Sequence, residues 1–118
     1  MSKFGKRLAK EVNRLAAESP DFIYPHEDAV YVLNGEPSCL YGQALWNLGL
    51  IDESFERKLG KTQSGLDGLL NYQPIDIVLD RLNLKVGKKE VMAFILSQES
   101  QDNGRPWDVS VRPLEAIS

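Results

Sequence analysis

The sequence predicts a mainly α protein: a compact, irregular bundle of five or six short helices with a small β-ribbon near residues 22–36. Three observations carry that reading. Apolar residues recur at helical spacing in several separate segments, each with one apolar face. Most of those segments end at Ser-Pro, Gly or Asn-Gly, so the helices are short. One apolar run, 29–33, stops at Asn34-Gly35, a strong hairpin signal because both residues tolerate positive φ.

In chain order, Phe4, Leu8, Val12, Leu15 and Ala16 share one face of a first helix, which Ser19-Pro20 stops. Phe22-Ile23-Tyr24 ends at Pro25. Val30–Leu33 reads as a short strand, and Pro37 makes the return strand irregular. Ser38 is placed to cap a helix from Cys39 to Leu48, closed by Gly49. Its inner stripe is Tyr41, Ala44, Leu45 and Leu48, with Trp46 at the edge. Ile51–Leu59 reads as a short helix with acids early and bases late, ended by Gly60. Residues 65–70 carry two glycines and make a weak helix at best. After Pro74, the residues Ile75, Val78, Leu79 and Leu82 form another stripe, which Lys85-Val86-Gly87 breaks. Lys88–Gln101 is the next helix, with Val91, Met92, Ile95 and Leu96 expected inside. Pro106-Trp107 opens a last turn, and Pro113 interrupts anything longer.

A chain of 118 residues has room for a single domain, 1–118, and can build a core without metal or disulfides. Its lone cysteine, Cys39, excludes an internal disulfide and suits a reducing compartment. No signal-peptide pattern is visible, and the apolar runs fall far short of the ~20 residues of a membrane helix. The expected setting is the cytoplasm, with no membrane partner.

The net charge of −3 argues against a dedicated nucleic-acid binder, but the charge is uneven. Residues 1–18 are net +3, through Lys3, Lys6, Arg7, Lys10 and Arg14 against Glu11 and Glu18. The rest is acidic. Five cations on one helix are able to contact phosphates without reading sequence, although a solvated helix face explains them as well. A helix-turn-helix across 75–101 is disfavoured, because the second helix offers only Lys88 and Lys89 before apolar and acidic residues.

Catalytic signatures are sparse. Cys39 at the start of a helix would feel the positive end of the dipole, with His26 as its base and Glu27 or Asp28 orienting it. That would make a cysteine-dependent hydrolase or transferase. A tightly packed cysteine is the plainer reading. One His and one Cys make a poor zinc set, and Asp76 and Asp80, one turn apart, are weak cation ligands. No phosphate-binding glycine loop or nucleophile elbow occurs, so neither metal nor cofactor is expected. The segment holding Gln98, Gln101, Asp102, Arg105 and Trp107 has the make-up of an interaction surface. Alternatively, Trp107 closes the core while the amides cap the helix end.

Two stretches, 34–49 (NGEPSCLYGQALWNLG) and 98–107 (QESQDNGRPW), resemble segments of a family of small uncharacterised proteins of actinobacteria and their phages. The resemblance covers about a quarter of the chain. It implies a prokaryotic or viral origin and a cytoplasmic setting, and it brings no catalytic residue or cofactor. Taken together, these features lead us to expect a non-enzymatic protein-binding protein, phage-encoded and acting on a host protein if the resemblance holds. The alternatives are a nucleic-acid accessory protein using the basic helix, and the cysteine enzyme.

Overall fold

A computed structural model describes residues 2–25, 29–61 and 67–117. Helix α1 (Lys3–Glu18) leads into a two-residue hairpin, β1 (Val32–Leu33) and β2 (Glu36–Pro37). Then follow α2 (Leu40–Asn47) and a 3-10 turn at Glu53–Arg57. A second hairpin comes next, β3 (Leu59–Lys61) with β4 (Asp67–Leu69). After it come a 3-10 turn at Leu70–Tyr72, α3 (Ile75–Arg81), α4 (Lys88–Asp102), α5 (Trp107–Ser110) and a closing 3-10 segment at Arg112–Ile117.

The mainly α architecture with its small ribbon is the one expected. In α1, Leu8, Val12, Leu15 and Ala16 are buried. The apolar periodicity therefore does set that helix's inner face. Asn34 and Gly35 both take positive φ, 53° and 80°, in the two-residue turn that pairs Val32 with Pro37. The Glu56 carboxylate accepts from the N–H groups of both turn residues, at 2.9 and 3.1 Å.

Four local expectations are corrected. Cys39, not Ser38, is the N-cap of α2, and its Sγ accepts from the Gly42 N–H. The Ser38 hydroxyl instead pairs with the Tyr24 hydroxyl at 2.6 Å. The 51–59 helix is a 3-10 turn, and Leu59 leaves it as an exposed strand residue. In place of a weak helix, Asp67–Leu69 pairs with Leu59–Lys61 as a strand. Gly68, one of the two glycines that weaken a helix, is directly opposite Gly60 in the ribbon; Gly65 lies outside the described residues. The fourth correction is the orientation of α4. Met92 and Leu96 are 53% and 49% exposed, and Val91 and Ile95 are only half-buried.

The buried face of α4 is Glu90, Ala93, Phe94, Ser97, Gln98 and Gln101, opposite to the apolar stripe. The reason lies in the other helices. The first N–H groups of a helix have no partner within it. Gln98 Oε1 accepts from the first N–H of α3, Ile75, at 2.7 Å. Gln101 Oε1 accepts from the first N–H of α2, Leu40, at 2.9 Å. Glu90 accepts from the N–H and hydroxyl of Ser2, the residue that caps α1, at 3.0 and 3.1 Å. One face of α4 therefore satisfies the starts of three neighbours. Buried donors left without acceptors would each cost roughly 1–3 kcal/mol, more than turning two apolar side chains outward loses in partial burial.

The same logic fixes β1, whose outer edge lacks a third strand. Asn71, 2% exposed, accepts from the Val32 N–H and donates to the Val32 carbonyl, at 2.9 and 2.7 Å.

Candidate functional site

The exposed apolar surface of α4 is the strongest candidate. Met92 and Leu96 lie one turn apart, so their side chains share one patch of surface. Pro113, Ala116 and Ile117 of the closing 3-10 segment run alongside and leave a groove of about 530 Å³ between the two elements. Lys88 and Lys89, both exposed, stand at its α4 N-terminal end. The groove floor is formed by Ala93, a residue small enough to leave room between the flanking side chains. It offers apolar contact and a positive rim, and its lining holds no Ser, Thr, Cys, His, Asp or Glu side chain.

The residues read from sequence as a partner-binding cluster divide into two groups. Trp107 is 3% exposed and packs edge-on against Phe22, with ring centroids 4.7 Å apart. Its backbone N–H donates to the Phe22 carbonyl at 2.9 Å. Gln101 is 2% exposed and serves α2 as described. These two are interior groups: Trp107 closes the core, as the alternative has it, whereas Gln101 serves the start of α2 and not the end of its own helix. Asp102 and Arg105 are exposed. Partial burial pushes the Asp102 carboxyl up to about 6, against the opposing hydrogen bond from Gln101 Nε2 at 2.7 Å.

Cys39 does not have the environment of an activated thiol. It is 2% exposed, and burial pushes its thiol up to about 12, outweighing the lowering by the Gly42 N–H. The dipole expectation is overturned because the sulfur is sealed from water, which a thiolate needs more than it needs a helix end. His26, its proposed base, lies outside the described residues, as do Glu27 and Asp28. Cys39 is expected to resist alkylation at neutral pH in the folded protein and to react only on denaturation; thiol-reagent kinetics with and without denaturant check this.

Asp76 is half-buried, and Asp80 is exposed and paired with Arg81 at 3.1 Å. Among the described residues, no three or more His, Cys, Asp or Glu side chains are placed to hold a metal ion. No helix among them is long and apolar enough to cross a membrane.

Of the five cations on α1, Arg14 is held by Glu11 and Glu18. Lys3, Lys6, Arg7 and Lys10 are exposed and form no ion pair among the described residues.

Compared with protein-family models, curated proteins and solved structures, the chain finds no match.

What sequence reasoning missed is the outward apolar pair and the polar face that puts it there. A signal was present: Glu90, Ser97, Gln98 and Gln101 recur at helical spacing on one face of the helix.

Proposed function

We propose that this chain is a non-enzymatic binding protein and that the outer face of α4 is its docking surface for another protein. The observation that carries the reading is the exposure of Met92 and Leu96 on a helix that keeps Glu90, Ser97, Gln98 and Gln101 inside. Buried polar and exposed apolar groups are the informative departures from the usual pattern. An apolar groove rimmed by charge is a common form of protein recognition site, and an i, i+4 pair suits a partner helix laid alongside.

Lys88 and Lys89 select the partner's chemistry. A segment with apolar anchors and acidic residues at one end complements both the groove and its rim. The resemblance to actinobacterial and phage proteins makes a bacterial cytoplasmic protein the first partner to seek, a host protein if the chain is phage-encoded.

The test is affinity capture from an actinobacterial lysate, after nuclease treatment, comparing the wild type with Leu96→Glu. A stoichiometric protein held by the wild type and lost from the variant supports the reading. A partner retained equally by both contradicts it. Wild-type self-association that Leu96→Glu abolishes would also contradict it, because the groove would then be filled by a second copy.

A further inference from the structure

We infer that the solvent face of α1 is a second binding surface, one that takes the phosphate backbone of a nucleic acid. Lys3, Lys6, Arg7 and Lys10 fall at i, i+3, i+4 and i+7, which places them on one face of a helix whose other face is buried in the core. They span about 10 Å of helix axis, and Arg14 extends the row by about 6 Å more.

Three of the cations border a hollow. Arg7, Lys10 and Arg14, with Glu11 and Leu48, line a recess of about 310 Å³ between α1 and the end of α2. The acids on this helix are already engaged. Glu11 accepts from Arg14 and from Asn47 Nδ2 at 2.8 Å, and Glu18 pairs with Arg14. The row therefore keeps its positive field although the whole chain is net −3. Acids elsewhere on the molecule act through screening with a Debye length of about 8 Å at physiological salt.

A bilayer is the other phosphate-bearing surface, and α1 is poorly made for it. A helix that lies in a membrane buries its apolar face there. Leu8, Val12 and Leu15 of α1 are committed to the protein core, at 0%, 0% and 7% exposure. On the cationic side Ala17 is small and Leu48 is half-buried, so little apolar surface is offered for insertion. Lys3, Lys6, Arg7 and Lys10 are exposed, with no ion pair among the described residues to fix their orientation, so the binding is to phosphate and indifferent to sequence.

The experiment is a titration of fluorescent duplex and single-stranded oligonucleotides with the whole chain across a range of salt. Four released counterions give a slope of log affinity against log salt of about −3.6 for duplex and about −2.8 for single strands. For duplex that is roughly a 150-fold loss from about 50 to about 200 mM salt. Lys6→Glu with Lys10→Glu is expected to abolish binding, whereas Leu96→Glu leaves it intact and so separates this surface from the α4 groove. Both lysines are exposed, and circular dichroism verifies that the double variant is folded. No binding at low salt, or binding unchanged by the double reversal, overturns the inference. So does tighter binding to phosphatidylserine vesicles than to oligonucleotide at equal phosphate concentration.

Discussion

Gly42→Ala is expected to lower the melting temperature by about 10 °C or more, a loss of at least ~3 kcal/mol. Helix propensity alone predicts the opposite sign. Gly42 sits inside α2, where alanine is ordinarily worth about 1 kcal/mol more than glycine. The contact decides the outcome. A Cβ at Gly42 would lie 2.6 Å from Tyr31 Cα and closer still to the Tyr31 carbonyl oxygen. Both partners are backbone. Tyr31 also anchors its own segment: its hydroxyl donates to the Gln73 carbonyl at 2.8 Å and accepts from Gln98 Nε2 at 2.6 Å. Its carbonyl already accepts from the Ser38 N–H at 2.9 Å. Neither side can retreat without breaking that network. Thermal denaturation followed by circular dichroism measures the effect, and an unchanged or raised midpoint would show that α2 does not press on Tyr31 as described.

Glu90→Ala carries the second large effect, a loss of about 2–4 kcal/mol. Glu90 is 4% exposed, and its carboxylate accepts from the Ser2 N–H, the Ser2 hydroxyl and the Gly87 N–H. It thereby ties the start of α1 to the start of α4. Gly5 allows this approach, since a Cβ there would overlap the Glu90 carboxylate. Burial opposes the charged form, yet the three hydrogen bonds outweigh it and hold the carboxyl below the usual carboxylate range. The sign of the pH dependence follows. A carboxyl whose value is lower in the folded than in the unfolded state adds stability above its unfolded value, and that contribution disappears as pH falls through the folded value. The wild type should lose part of its advantage over Glu90→Gln as the pH drops below about 4. Urea denaturation of both proteins across acid pH measures it, and a constant difference would mean that the carboxylate is not charged and bonded in the fold.

These two sites mark where the sequence was legible and where it was not. The α1 face was legible because every inward residue is apolar or small, so periodicity and burial coincide. Asn34-Gly35 was legible because its conformational demand is local. The face of α4 was not, because two stripes compete there. Val91, Met92, Ile95 and Leu96 win on hydropathy, whereas Glu90, Gln98 and Gln101 are needed as acceptors by residues far along the chain. Ser2 and Glu90 are 88 positions apart, and Leu40 and Gln101 are 61. No local window contains that demand. Cys39 had two readings for a related reason: its position at a helix start is a local fact, whereas the burial that favours the packed cysteine is a tertiary one. The second hairpin escaped because a glycine such as Gly68 signals only that a helix is weak, not which strand it will face.

The orientation of α4 underlies the proposed docking face, so its most direct test is the stability of the double variant Met92→Glu/Leu96→Glu. With both side chains already about half exposed, at 53% and 49%, the melting temperature is expected to move by no more than a few degrees. A loss of several kcal/mol, or failure to fold, would mean that these residues face the core, and the docking face would go with it.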